Sequence, residues 1–224
     1  TGSMLRWLAP RLDGAQPWVM YDRDEDLLDD VCGRDVVRTA TGSAVTIETR
    51  RRDITRLEPG DLDAATLVTA SALLDMFTRD ELDRFVGACT RAACPVLVTL
   101  SVVGRVEFTP TDPRDEEFGR AFNAHQRRVA VDRQLLGPDA VAIAATAFSS
   151  LGAAVTERSS PWRLGVDDAP LTAAWLDGWI GAAVEQEPAL ASGARDYVRM
   201  RRAQSEAGNL SVKVDHHDIL VMPR

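Results

Sequence analysis

Several residue types and patterns are scarce in this sequence of 224 residues, and their scarcity narrows the classes of function. The three cysteines form no Cys-x-x-Cys pair, so the sequence predicts neither a disulfide framework nor a zinc site. No apolar run reaches the roughly 18 to 20 residues of a membrane helix. The formal net charge of -8 argues against a nucleic-acid partner, whose phosphates require a basic surface. We therefore expect a cytoplasmic protein with no metal, nucleic-acid or membrane partner.

The overall amino-acid composition is typical of a globular protein. Hydrophobic residues make up 45% of the chain, and its length suits one large domain with a substantial core. No internal repeat or low-complexity segment interrupts the sequence. We predict a single domain over residues 1–224, with cap material at about 103–135 and 160–208.

Strand-like and helix-like segments alternate along the chain. The predicted strands are Trp18–Asp22, Ala44–Arg51, Ala65–Ala70, Pro95–Ser101, Ala153–Ser159 and the stretch from Leu210 to the end. Thr78 and Glu81 have the spacing of a capping box at the start of one helix, and Gly152 is typical of the end of another. Apolar strands without alternation belong to parallel sheets that are covered on both faces. The sequence therefore predicts an α/β fold with a Rossmann-like open sheet, helices on both faces and helical cap insertions.

Acidic and small residues follow the predicted strands, where an open α/β sheet binds its ligand. Asp22 could accept hydrogen bonds from a ribose diol, or it could cap the helix that follows. Asp53 and Ile54 suit the edge and face of an adenine, although a polar turn is the simpler interpretation. Ala70 and Ser71 are small enough to let a ligand approach the backbone closely.

The first residues, TGSM, have two interpretations. Gly-Ser-Met is a common remnant of cloned proteins and would then lie outside the fold. A Thr-Gly-Ser turn that opens directly into a helix is also typical of the second half of a nucleotide-binding loop. The helix is indicated by Leu5, Leu8 and Leu12, which share one face.

Four features follow one another along the chain: the Thr-Gly-Ser turn, the acid after the first predicted strand, the Asp-Ile pair after the second, and the small residues at the end of the third. This order resembles that of the class I S-adenosylmethionine-dependent methyltransferases. The segments RWLAPRL, WVMYDRD, LVTASALLD, NAHQRR and SPWRLG are similar to those of a group of bacterial small-molecule methyltransferases, and the resemblance spans nearly the whole chain. It implies S-adenosyl-L-methionine as the cofactor, a small-molecule acceptor, and a mostly parallel sheet with an antiparallel C-terminal strand. The family's first strand and leading loop glycines are absent, so we expect the natural protein to be longer and TGS to belong to the loop.

The resemblance also implies which residues bind the cofactor. The matching positions are Thr1, Gly2 and Ser3 for the methionine part, Asp22 and Arg23 for the ribose and adenine, Asp53 and Ile54 for the adenine edge, and Ala70 and Ser71 for the strand mouth.

Four residues are candidates for action on the acceptor. His125 is the best candidate for a general base because the unperturbed pKa of histidine lies near neutrality, although a helix histidine bonded to a neighbour is an equally good interpretation. Asp75 could orient the acceptor or contact the amino end of the cofactor, and it could equally cap a helix. Trp162 and Arg163 could line an acceptor pocket, although core packing is the more favoured interpretation for the tryptophan.

His216 and His217 suggest a metal site, but adjacent strand residues point to opposite faces, so a polar bend at residues 215–217 explains them better. Two other functions compete with methyl transfer. A Rossmann-type NAD(P)-dependent oxidoreductase is disfavoured because there is no Tyr-x-x-x-Lys pair and Lys213 is the single lysine. A non-catalytic partner protein that binds S-adenosylmethionine is the other. Cap helices often pair such enzymes, so a homodimer is one expected arrangement.

Overall fold

The computed structural model describes residues 2–32 and 37–224. Its helices are α1 (Ser3–Leu8), α2 (Glu25–Cys32), α3 (Arg79–Ala92), α4 (Arg114–Gln126), α5 (Ala140–Ser150), α6 (Ala169–Gln186) and α7 (Ala191–Glu206). Its strands are β1 (Pro17–Asp22), β2 (Thr46–Arg51), β3 (Val68–Ser71), β4 (Val96–Thr109), β5 (Val129–Ala130), β6 (Arg133–Gln134), β7 (Ala154–Ser159), β8 (Trp162–Leu164) and β9 (Ser211–Met222). The 3-10 turns Ile54–Arg56 and Leu74–Met76 follow β2 and β3.

The principal strands form two sheets with a mostly parallel arrangement. β1 and β2 pair in parallel as one small sheet. The larger sheet has the order β3-β4-β9-β7, with β8 also paired to β9. β3 and β4 are parallel, whereas β9 is antiparallel to β4, β7 and β8. Since β9 alone opposes the other strands of this sheet, the predicted parallel sheet with an antiparallel C-terminal strand is confirmed.

One strand is longer than the sequence predicted, and another lacks a predicted bend. The predicted fourth strand ended at Ser101, but β4 continues to Thr109 through two register shifts in its pairing with β9. Leu100 and Gly104 have positive φ angles of 55° and 76°. Local backbone changes of this kind accompany β-bulges, at which the pairing of two strands shifts register. Residues 103–109, expected in the cap, therefore belong to the sheet. β9 is also continuous, without the bend expected at residues 215–217.

The first hydrophobic core packs α3 and α5 on the sheet. Phe77 and Phe85 lie in it with ring centroids 5.6 Å apart, and Val98 of β4 is fully buried beneath them. Cys89 and Cys94 are buried in the same core, so they act as small apolar side chains, as expected for these positions.

The start of α3 connects this core to a small hairpin formed by β5 and β6. Thr78 accepts a hydrogen bond from the Glu81 backbone N–H at 3.3 Å, and Glu81 accepts one from the Thr78 N–H at 2.8 Å, which confirms the predicted capping box. Arg133 of the hairpin donates to both Glu81 carboxylate oxygens, at 2.9 and 2.6 Å. Burial raises the pKa of Glu81, but the Arg133 and Thr78 hydrogen bonds outweigh it and leave that pKa lowered. Arg133 also donates to the Met76 carbonyl at 3.0 Å, so the hairpin is fixed to the turn after β3.

A second hydrophobic core joins α4, α6 and α7 to the C-terminal part of β4 and the N-terminal part of β9. Arg201 is completely buried there, forms an ion pair with Asp115, and donates to the Pro110 carbonyl at 2.7 Å. Its guanidinium carbon lies 4.5 Å from the centroid of the Phe108 ring. The Tyr197 hydroxyl donates to the same Asp115 carboxylate at 2.6 Å, and burial raises the pKa of Tyr197. A charged group is therefore built into the middle of an apolar cluster, where its two terminal nitrogens are hydrogen-bonded and its Nε is not.

Candidate functional site

The strands β1, β2 and β3 each end at, or just before, a residue predicted to bind a ligand. β1 ends at Asp22, which lies opposite Arg51, the last residue of β2, and Asp53 follows two residues later. β3 ends at Ser71, which lies opposite Thr99 of β4. Open α/β sheets bind their ligands beyond these carboxyl ends. The predicted residues therefore occupy the strand ends that a ligand of this fold would use.

Charged side chains connect the ends of the two sheets. Arg133, which pairs with Glu81, also interacts electrostatically with Asp53. Arg23, just past β1, interacts with the same Asp53 carboxylate. The carbonyl of Thr55, two residues after Asp53, accepts a hydrogen bond from Arg84 of α3 at 3.3 Å. Asp53 thus interacts electrostatically with Arg23 and with Arg133, which is itself hydrogen-bonded to the turn that follows β3.

Asp22 and Asp53 both cap the turn that follows them. Asp22 Oδ1 accepts the Asp24 N–H at 3.0 Å. Asp53 Oδ1 accepts the Thr55 N–H at 3.0 Å and the Thr55 hydroxyl at 2.8 Å. Burial raises the pKa of Asp53, but these bonds and nearby arginine charges outweigh it and leave that pKa lowered. A carboxylate has about four lone-pair sites, so this capping leaves acceptor capacity for a ligand.

The turn before α1 is built around Gly2. This residue is buried with φ at 64°, and a Cβ there would lie 3.1 Å from a Val31 methyl group. Glycine is therefore required both by the left-handed backbone and by the close packing on α2. Ser3 is exposed, and α1 itself lies against β3. Thr1, the first predicted loop residue, lies outside the described residues.

Asp75 lies beside the mouth of β3, in the 3-10 turn Leu74–Met76. Ala70 and Ser71 at that mouth are partly buried, as is Asp75. Burial raises the pKa of the Asp75 carboxyl, and the nearby His216 has the opposite effect. A predicted acceptor-site acid therefore interacts electrostatically with a histidine that the sequence analysis did not assign to the site.

His216 is 5% exposed and lies on β9 opposite Val102, beyond the level at which β3 ends. Its Nδ1 is 3.0 Å from the Val214 carbonyl oxygen, and its ring centroid is 5.2 Å from that of Trp162. Burial lowers the pKa of His216, while Asp218, Asp215 and Asp75 act in the opposite direction. The sequence signal that points to His216 is its place within an apolar strand. In the sequence analysis this stretch is interpreted as a polar bend instead.

His125, the predicted general base, lies on α4 and faces α6. Its Nε2 is 3.3 Å from a Glu185 carboxylate oxygen, and its Nδ1 is 3.2 Å from Arg128 Nη1. These contacts correspond to the alternative interpretation, a helix histidine bonded to its neighbours. They do not test catalysis, so its assignment as general base stays a prediction.

Trp162 and Arg163 occupy adjacent positions on β8 and differ in environment. Trp162 is partly buried, packs on the second core and contacts His216. Arg163 is exposed and lies opposite Lys213. The structure thus brings Trp162, His216 and Asp75 together but leaves Arg163 on the surface.

Two negative findings apply to the described residues, 2–32 and 37–224. In this part of the chain, no three histidine, cysteine, aspartate or glutamate side chains are grouped to hold a metal ion. Within the same ranges, no helix combines the length and apolarity needed to cross a membrane. His216 and His217 have separate environments, since His216 is buried whereas His217 pairs with Glu157.

Comparisons with known proteins support the fold. No protein-family model matches the sequence, and no curated protein matches it. A solved structure of a candidate methyltransferase from Bacillus halodurans, BH2331, is 12% identical, with 100% of this chain and 89% of that chain covered and a TM-score of 0.53. The YcgJ protein from Bacillus subtilis is also 12% identical, with 100% and 88% covered and a TM-score of 0.52. The predicted Rossmann-like fold is therefore confirmed, and the resemblance to class I methyltransferases holds at the level of the fold.

Proposed function

We propose that this protein is an S-adenosyl-L-methionine-dependent methyltransferase with a small-molecule acceptor. The observation that carries the proposal is the ordered set of residues at the strand ends: Asp22 after β1, Asp53 and Ile54 after β2, and Ala70 and Ser71 at the end of β3. This order resembles the methyltransferase pattern, and it occurs on a fold shared with a candidate methyltransferase.

The residues at the strand ends fit the proposed cofactor chemically. Asp22 is partly buried and can accept hydrogen bonds from a ribose diol while it accepts the Asp24 N–H. The partly buried Ile54 offers an apolar contact for an adenine ring, with Asp53 as acceptor and Arg23 beside it. Gly2 and its neighbours Thr1 and Ser3 would hold the methionine part. The bound group would supply an electrophilic methyl carbon.

The remaining assignments extend this proposal to the acceptor and the setting. Asp75 and Trp162 border the acceptor site beside β3, and Arg163 contributes from its rim. Alignment of acceptor, methyl carbon and sulfur provides most of the catalysis. The reaction needs no metal, takes place in the cytoplasm, and is carried out by a homodimer that associates through helical cap residues.

The experiment that tests the proposal is calorimetric titration of the chain with S-adenosylhomocysteine, with NADH as the control ligand. We expect one-to-one binding of S-adenosylhomocysteine and none of NADH. The reverse result would favour an oxidoreductase and overturn the proposal. If S-adenosylhomocysteine binds but no S-adenosylmethionine is consumed with any of a panel of phenols, amines and carboxylic acids, the chain is a non-catalytic binding protein.

A further inference from the structure

The proton positions on His216 follow from its hydrogen bond. Nδ1 lies 3.0 Å from the Val214 carbonyl oxygen, which can only accept a hydrogen bond. Nδ1 must therefore carry the proton, and in the neutral ring Nε2 has the free lone pair. Among the described residues, none donates a hydrogen bond to Nε2. The backbone of β9 thus holds the ring with its basic nitrogen available.

The surroundings of His216 suit proton uptake. Burial keeps the ring neutral, since it lowers the pKa of His216, and the carboxylates of Asp75, Asp218 and Asp215 stabilise the charge once a proton arrives. Asp218 is itself fixed by the Leu100 N–H at 3.0 Å and the Ser160 hydroxyl at 2.6 Å.

The position of His216 links it to the proposed methyl-transfer site. Ser71, at the end of β3, pairs with Thr99, and β4 continues from there to Val102, which pairs with His216. Asp75, in the turn after β3, interacts electrostatically with the same histidine. On its other side, the Trp162 ring offers an apolar wall with its centroid 5.2 Å from that of the imidazole.

We propose that His216 is the general base that takes the proton from a weakly acidic acceptor hydroxyl, such as that of a phenol. In this step the acceptor oxygen forms a bond to the methyl carbon, and the carbon–sulfur bond of S-adenosylmethionine breaks to leave S-adenosylhomocysteine. The hydroxyl proton moves to Nε2. This inference rests on the proposed function, since it assumes that a methyl donor binds beside β3.

Nuclear magnetic resonance of the imidazole nitrogens tests this inference, because the chain has only three histidines, His125, His216 and His217. His216→Asn and His217→Asn assign the signals; an asparagine side chain can still donate to the Val214 carbonyl, and thermal melting checks that each variant folds. We expect His216 to be neutral at pH 7 with its proton on Nδ1. Sinefungin carries an amine where the methyl group of S-adenosylmethionine lies. Replacing S-adenosylhomocysteine by sinefungin should therefore shift the His216 Nε2 signal and leave those of His217, which pairs with Glu157, unchanged.

The outcomes separate this inference from the function beneath it. A proton on Nε2, a doubly protonated ring at pH 7, or an Nε2 signal that ignores sinefungin despite calorimetric binding would overturn the role of His216 and leave the methyltransferase proposal standing. If calorimetry detects no binding of either ligand, the proposed function fails and the base assignment fails with it.

Discussion

At the scale of single residues, the strand-end acids combine two tasks. Asp22 and Asp53 each accept backbone hydrogen bonds that shape the following turn, and each keeps oxygen lone pairs for a ligand. Capping therefore does not argue against ligand binding at these positions. It also means that an alanine substitution removes a turn contact together with a ligand contact, so a binding test needs a gentler change.

Asp22→Asn provides that change. Asparagine can still accept the Asp24 N–H, but it loses the carboxylate charge that would strengthen bonds to a ribose diol. We expect the affinity for S-adenosylhomocysteine to fall by about 1 to 3 kcal/mol, or roughly 5- to 150-fold. Calorimetry measures this, with the exposed Asp29→Asn on α2 as the matched control. An unchanged affinity in Asp22→Asn would remove Asp22 from the site.

The two candidate bases, His216 and His125, predict different kinetics. If His216 is the base, His216→Asn should lower kcat by on the order of 100- to 10,000-fold, the usual range for loss of general-base catalysis, with little change in affinity for S-adenosylhomocysteine. Turnover of a phenolic acceptor measures this, and His217→Asn is the control. A large loss of kcat in His125→Asn, with His216→Asn unaffected, would instead support the base that the sequence predicted.

Sequence patterns located the strand-end residues but not the environment of His216. Asp22, Asp53 and Ser71 lie at strand ends, and strand ends can be located from local apolar runs. The environment of His216 depends on its pairing with Val102, more than 100 positions earlier, across a strand whose irregular register local patterns do not encode. A non-local contact of this kind could not be predicted from spacing alone.

At the scale of elements, the contacts that stabilise the start of α4 are sensitive to low pH. Asp112 accepts the Arg114 N–H at 3.0 Å and two bonds from its guanidinium at 2.8 and 2.9 Å. The hydrogen bonds from the Arg114 side chain lower the pKa of Asp112 to about 2. Because the folded-state pKa is below the unfolded value, this stabilisation is complete above about pH 4 and is lost as the pH falls towards 2.

Asp112→Asn should therefore destabilise the protein near neutral pH and have much less effect near pH 2. Thermal melting between pH 7 and 2 measures this as a difference in Tm that narrows below about pH 4. Asp196→Asn is the control, since its pair with Arg199 is largely exposed and surface pairs contribute little. A Tm difference that stays constant over the whole pH range would contradict the assignment.

The helices and strands also show which parts of the fold are determined by the local sequence. The capping box of α3 agrees with the prediction, because caps act within a few residues. The length of β4 was underestimated because Gly104 usually indicates a break, whereas pairing with β9 carries the strand past it. Tertiary pairing thus overrides a local signal.

At the scale of the whole molecule, the two hydrophobic cores share their strands. Val98 of β4 and Ile219 of β9 lie in the first core, while Phe108 and Val212 of the same strands lie in the second. Neither core can lose its portion of these strands without exposing apolar surface and unpaired backbone in the other. We therefore expect the described part of the chain to unfold as one cooperative unit.

Arg201→Leu tests this cooperativity from within the second core. The change leaves Asp115 buried with the Tyr197 hydroxyl but without its ion-pair partner, and loss of one partner of a buried pair costs about 3 to 5 kcal/mol. The expected fall in Tm is on the order of 10 °C for a protein of this size. Trp162, Trp175 and Trp179 belong to the second core, so tryptophan fluorescence follows that core once the other two tryptophans, Trp7 and Trp18, are replaced by phenylalanine. Amide exchange of α3 follows the first core. Both probes should report the same reduced stability, because strands shared by the two cores transmit the loss. A decrease confined to the fluorescence signal, with α3 still fully protected, would show instead that the cap unfolds independently of the sheet.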